Sequence, residues 1–231
     1  METPTPKEPG STPPEALLLI GSRCPHCQSV LDSLTLLVKD GSLGRLTVVN
    51  LNAAPEAPEG RAVRSVPWTR IGPFELSGAL SAAELRDWAA VAGAGGGWAR
   101  YFAHLIEAGR LDSVVERIRS NPGTLTDLIQ LFADPDTPLS ARIGVSAVFE
   151  ALAGSDILRR AVPEIEPLTL SHSPQIRADA CHFLGLAGDR GALASVRRLT
   201  EDEHPEVREV AAEVLGLLEA SSVDPGADPG P

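Results

Sequence analysis

The chain has 231 residues, 43% of them hydrophobic, 22% charged and 4% aromatic. That length suits one large domain or two small ones, and the apolar share excludes wholesale disorder. Acidic residues outnumber basic ones 31 to 20, a formal net charge of −11. This argues against nucleic-acid binding as the main role, because neutralising phosphates needs clustered Lys and Arg. Three cysteines, Cys24, Cys27 and Cys181, are too few for a disulfide-dense secreted scaffold. No apolar run approaches the roughly 20 residues of a transmembrane helix, and the start lacks the basic and apolar regions of a secretory signal. No membrane role is expected, and the expected location is the cytoplasm, where a Cys-x-x-Cys pair rests reduced unless it is turning over.

In chain order, residues 1–14 are Pro-rich and polar and are expected to be disordered. Ala16 to Ile20 is a continuous apolar run, suited to a strand buried on both faces. Cys24-Pro25-His26-Cys27 follows at once. Val30, Leu31, Leu34, Leu36, Leu37 and Val38 then recur at roughly helical spacing, and Gly41 and Gly44 punctuate the helix end. Leu46 to Leu51 reads as a second strand. Pro55, Pro58 and Gly60 leave room for a helical turn at most over 53–63. Trp68 to Ile71 and Phe74 to Ser77 read as a hairpin around Gly72-Pro73. Ser81-Ala-Ala-Glu84 is a capping-box pattern that opens a last helix over Ala82 to Val91. The expected order is therefore β-α-β-β-β-α.

The segment 93–97, Gly-Ala-Gly-Gly-Gly, is a flexible joint by composition. Beyond it the pattern is helical throughout, with helices expected over Trp98 to Ala108, Leu111 to Ile118 and Leu125 to Phe132. Three later segments superimpose: those from Leu139, Pro174 and Pro205. Arg142, Arg177 and Arg208 match, followed three residues on by Val145, Ala180 and Ala211, and three further by Val148, Phe183 and Val214. That spacing is one helical face. Helices over Ile157 to Leu170 and Ala192 to Leu199 are expected between them. Helix pairs of this period resemble HEAT repeats, closely over 139–219 and loosely over 98–133. In such arrays each repeat buries its face only against its neighbours. The tail 221–231 is expected to be disordered. The acidity belongs to this half: residues 1–94 carry a net −2 and residues 95–231 a net −9.

The Cys-x-x-Cys pair carries the chemistry. A cysteine at a helix N-terminus lies near unpaired N–H groups and the positive dipole end, which favour the attacking thiolate. Pro25 suits a first helical turn. Cys24 is then the nucleophile, and Cys27, one turn away, resolves the mixed disulfide. Zinc would need about four ligands, and no second Cys or His pair has ligand spacing, so no metal is expected. Cys181 lies on the repeated helical face and reads as a small buried hydrophobe. The recurrent arginines read as a repeated structural hydrogen bond or ion pair, with a binding ladder as the alternative.

Three elements carry a further resemblance: the strand leading into Cys24-Pro25-His26-Cys27 and a helix, Arg64-Ser65-Val66-Pro67 ahead of the third strand, and the turn and helix from Gly78 to Leu85. Together they make residues 15–92 resemble the thioredoxin-like superfamily. The resemblance implies a minimal, glutaredoxin-sized α/β domain, here followed by an all-α array of HEAT repeats over 98–220. It also implies a cis Pro67 beside the cysteines, Val66 pairing with an extended substrate, and Trp68 flanking that groove. The dipeptide Pro25-His26 matches that of DsbA-like oxidants, which implies that His26 favours the Cys24 thiolate. The family's buried acid before the active site is missing from the first strand, as are the acidic glutathione contacts near Gly78. The activity implied is thiol-disulfide exchange on protein thiols or disulfides, without a cofactor. The partners implied are a protein held by the repeats and a thiol reductant. A redox-sensing adaptor and a non-catalytic scaffold are the alternatives.

Overall fold

The computed structural model describes residues 12–61 and 63–220. The disorder expected for the two tails falls largely on residues 1–11 and 221–231, outside the described residues. Pro14 belongs to the fold, because its carbonyl accepts the Gly44 N–H at 2.9 Å. The chain divides into two compact units, residues 1–97 and 98–231.

The first unit is a four-stranded mixed sheet with helices α1 (Cys27–Lys39) and α2 (Ala82–Gly93). Its strands are β1 (Glu15–Ile20), β2 (Arg45–Asn50), β3 (Trp68–Ile71) and β4 (Phe74–Ser77), in spatial order β2-β1-β3-β4. β1 pairs parallel with β2 and antiparallel with β3, and β3 pairs antiparallel with β4. The parallel pair needs a crossover, which α1 provides. As a central strand β1 is buried on both faces from Ala16 to Leu19, which is why its sequence does not alternate. The capping box closes as the sequence implies: the Glu84 N–H donates to Ser81 Oγ at 3.2 Å, and Ser81 N–H donates to Glu84 Oε2 at 2.7 Å. The helix it opens runs through Gly93, so the expected joint begins inside α2.

The two sheet faces are covered differently. Ala16, Leu18, Ile71 and Phe74 share the face under the helices, where Trp88 of α2 packs on Phe74 at 5.3 Å between ring centroids. Leu17, Leu19 and Trp68 share the other, with Val49, Leu51, Val63 and Val66 packed against them. Among the described residues of this unit, no helix of the sheet's own length packs on that cluster. The connection between β2 and β3 does so, and its regular structure is one 3-10 turn, Pro58–Gly60. Prolines 55 and 58 keep the crossover from becoming a longer helix.

The second unit is helical: α3 (Trp98–Glu107), α4 (Leu111–Ser120), α5 (Leu125–Ala133), α6 (Leu139–Ala151), α7 (Asp156–Arg160), α8 (Val162–Ile165), α9 (Pro174–Ala187), α10 (Leu193–Leu199) and α11 (Pro205–Ala220). The helix expected over 157–170 is instead three pieces, α7, α8 and a 3-10 turn over Glu166–Leu170. Pro163 and Pro167 explain the breaks, since each lacks an N–H and sits in the first turn of its segment. The three superimposed segments are α6, α9 and α11, with α9 packed against both of the others. Their shared positions Val145, Ala180 and Ala211 are fully buried. Phe149 stacks on Phe183 at 4.0 Å, and Phe132 meets Phe183 edge-on at 5.0 Å. Aromatic rings, and not Ala and Leu alone, therefore fill the junction of α5, α6 and α9.

Candidate functional site

Cys24 and Cys27 form a disulfide with their Cα atoms 5.5 Å apart. The chain leaves β1 at Ile20 and turns through Gly21–Cys24, with the Cys24 N–H donating to the Gly21 carbonyl at 3.1 Å. Helix α1 starts at Cys27, with His26 as its N-cap residue. Pro25 therefore precedes the helix and does not occupy its first turn. His26 caps without a side-chain bond, and a helical hydrogen bond runs from Val30 N–H to the His26 carbonyl at 3.4 Å. The two sulfurs are unequally placed. Cys27 is 5% exposed beneath the start of α1, whereas Cys24 is half-buried and Pro25 and His26 are exposed.

The Val66–Pro67 segment comes alongside. Its peptide bond is cis, and Cys24 Sγ lies 3.7 Å from the Val66 carbonyl oxygen. The Pro67 carbonyl is turned away and accepts the Gly78 N–H at 3.0 Å. Gly78 has φ +97°, a conformation in which a Cβ would be strained. Val66 is half-buried and Pro67 buried. The third residue expected beside the groove, Trp68, opens β3. It is 8% exposed and packed with Leu17 and Leu19 under Val66, because the alternation of β3 turns it to the sheet face that lacks a helix. It supports the Val66 shelf from beneath.

Two asparagines complete the site, and sequence reasoning missed them. The Ser22 N–H donates to Asn52 Oδ1 at 2.8 Å, and Asn50 Nδ2 donates to Ser22 Oγ at 3.1 Å. The Asn52 N–H donates in turn to Asn50 Oδ1 at 3.0 Å. The end of β2 thus clamps the turn that presents Cys24. A Cβ on Gly21 would meet Val66 Cγ2 at 3.2 Å and Asn52 Oδ1 at 3.3 Å, so the three segments converge on a residue without a side chain. The signal was present: Asn-x-Asn after a strand is the pattern of an Asx turn, in which the side chain accepts the N–H two residues on.

The arginines of the repeats serve their own loops. Arg142 Nη2 donates to the Asp134 carbonyl at 3.0 Å. Arg177 Nη1 donates to the Ser171 carbonyl at 2.8 Å, and Arg208 Nη1 to the Asp202 carbonyl at 2.7 Å. Each ties the loop preceding its helix back onto that helix, which is the structural reading and not a ladder of free cations. Arg177 also grips a carboxylate, that of Asp202. Cys181 is fully buried, and burial pushes its thiol up to about 12. Among the described residues no group of three His, Cys, Asp or Glu side chains is placed to hold a metal ion, and no helix is long and apolar enough to cross a membrane.

A family model for HEAT repeats matches residues 162–226, which spans α8 to α11. No curated protein matches the chain. Arrays of HEAT type stack helix pairs into extended surfaces that commonly bind other proteins.

Proposed function

We propose that the first unit is a thioredoxin-like domain over residues 15–92 that exchanges thiols and disulfides on protein substrates. In this reading residues 93–97 join it to a HEAT-type domain over 98–220 that holds a protein partner, in the cytoplasm. The single observation that carries the reading is the unequal placing of the Cys24–Cys27 disulfide beside Val66: one sulfur half-exposed, the other buried behind it. The β-α-β-β-β-α order supports it.

In the reducing direction the Cys24 thiolate attacks a substrate disulfide. One substrate sulfur becomes bonded to Cys24, and the other leaves as a thiolate and takes a proton. Cys27, deprotonated, then attacks Cys24 Sγ, closes the Cys24–Cys27 disulfide and releases the second substrate sulfur as a thiol. Two electrons pass from the dithiol to the substrate. A thiol reductant restores the pair by the same exchange. In the oxidising direction each step reverses. The roles assigned are Cys24 as nucleophile, Cys27 as resolving cysteine, Pro25 and His26 as neighbours that set thiolate stability, and Val66 and Pro67 as the shelf for an extended substrate.

The test is reduction of insulin disulfides by the full chain with dithiothreitol as reductant. The expected result is a rate above the dithiothreitol background that Cys24→Ser abolishes, and a mixed disulfide with an insulin chain that accumulates in Cys27→Ser. A background rate in the wild type, unchanged by Cys24→Ser, would leave the scaffold reading in its place.

A further inference from the structure

The two segments that meet at the disulfide are locally basic in an acidic chain. Residues 21–28 (GSRCPHCQ) and 61–68 (RAVRSVPW) hold Arg23, His26, Arg61 and Arg64 and no Asp or Glu, although the chain as a whole is −11. Arg23 adjoins Cys24, so its Cα is about 3.8 Å away, and the Arg64 Cα is within about 7 Å of that of Val66. Both are exposed, as are Arg61 and His26. Among the described residues, Arg45 pairs with Glu15 and Arg86 with Asp40. The nearest carboxylates in sequence are Glu59, two residues before Arg61, and Asp32, which accepts a hydrogen bond from Gln28 Nε2 at 2.8 Å. Neither is paired with Arg23 or Arg64.

We infer that the disulfide is rimmed by an uncompensated positive edge that selects acidic substrates, namely polypeptides whose reacting cysteine is flanked by Asp or Glu. The inference rests on the redox reading and names its substrate class. Charges left unpaired on both sides of a reacting atom raise the local concentration of oppositely charged partners and speed their encounter. Arg23 adjoins the residue of the reacting sulfur and Arg64 lies two residues before Val66, whose carbonyl is 3.7 Å from that sulfur, so an extended peptide lying along Val66 runs close to both. The guanidinium groups also favour carboxylates geometrically, through paired N–H donors. The same edge disfavours Lys-rich substrates by like-charge repulsion. The effect is long-range and exposed, so salt screens it within about 8 Å at physiological ionic strength.

The experiment uses the reduced full chain and three synthetic peptide disulfides, homodimers of a single-cysteine pentapeptide flanked by Glu, Ser or Lys. Each rate is divided by that of 2-mercaptoethanol with the same peptide, which removes the intrinsic effect of the flanks on the leaving thiol. The normalised rate for the Glu peptide should exceed that for the Lys peptide about tenfold at low salt, with Ser between them, and the gap should shrink in 0.5 M salt, on the order of a Debye length below 5 Å. Arg23→Glu with Arg64→Glu should reverse the order of the Glu and Lys peptides when each rate is read as a ratio to that of the Ser peptide, which cancels any change in the reactivity of Cys24 itself. Arg45→Glu, at the opposite end of the β1–β2 pair, should change nothing. Equal rates for the Glu and Lys peptides, or a preference that salt and charge reversal leave untouched, would overturn the acidic-substrate inference alone. Failure to react with any of the three peptides would overturn the redox reading with it.

Discussion

Arg177 holds Asp202 with two hydrogen bonds, Nε to Oδ2 at 2.7 Å and Nη2 to Oδ1 at 2.8 Å. The side chains are 9% and 8% exposed, so the pair joins α9 to the loop before α11 out of reach of most solvent. Asp202 Oδ1 also accepts the His204 N–H at 2.9 Å, and the Asp202 carbonyl accepts from Arg208. One residue therefore ties together the recurrent arginines of two successive repeats. Removing one partner of such a pair leaves the other charged, buried and unmatched. Asp202→Ala should lower the stability of the full chain by about 3 kcal/mol, measured by urea unfolding. Glu203→Ala, whose side chain is 79% exposed, should cost less than about 1 kcal/mol.

The same pair should shape the acid limb of unfolding. The Arg177 guanidinium holds the Asp202 carboxyl down at about 2, against about 3.9 in an unfolded chain. A lowered native pKa gives stability that is complete above the unfolded value and is lost as pH falls from about 4 through about 2. The difference in stability between wild type and Asp202→Asn should therefore be largest at neutral pH and shrink by about 2 kcal/mol across that window. A difference that stays constant from pH 6 to pH 2, on the order of the full titration range, would show that the carboxylate charge is not what matters.

Cysteine accessibility should separate into two classes. Oxidised native protein, alkylated with iodoacetamide and weighed intact, should take up no label, because Cys24 and Cys27 are bonded and Cys181 is fully buried with its thiol pushed up to about 12. Denaturant without reductant should expose one thiol, Cys181. Reduction as well should raise the number to three. Labelling of native Cys181 at a rate close to that of the unfolded chain would contradict its place in the α9 core.

Two helical glycines should respond to alanine in opposite senses. A Cβ on Gly144 of α6 would overlap Ile106 Cγ2 of α3, a branch at the stiff end of its side chain. Gly144→Ala should therefore cost about 1–3 kcal/mol through overpacking. Gly216 in α11 has nothing within 4 Å of the added atom and is exposed. Gly216→Ala should stabilise by about 0.5–1 kcal/mol, the ordinary helix-propensity difference. Thermal melts of both variants check the pair of signs together.

Legibility in the sequence followed the range of the forces. Strands β3 and β4, the capping box and the repeated faces of α6, α9 and α11 could be read because each depends on residues close in sequence. The break at Pro163 and Pro167 was also local, yet the apolar spacing across 157–170 masked it. At the site, the cysteine pair was visible from its spacing, but Pro25, expected in the first turn, lies before α1, since proline is compatible with a helix start without requiring one. Trp68 was placed by the sheet's alternation, which turns on which face holds the helices, a tertiary fact. The Asn50 and Asn52 clamp links residues 28 to 30 positions apart, and no periodicity announces such a bond. The partner of Arg177 was hidden for the same reason.

The connection from β2 to β3 stands in for a covering helix, and its last residues lie beside Cys24. Roof and neighbour of the disulfide are thus one stretch of backbone. A change that shifts Val63 or Val66 bears at once on the seal over Leu17 and Leu19 and on the carbonyl beside Cys24 Sγ. Variation that a loop elsewhere would absorb silently is here answerable to both, so this segment can drift only along paths that satisfy the two together.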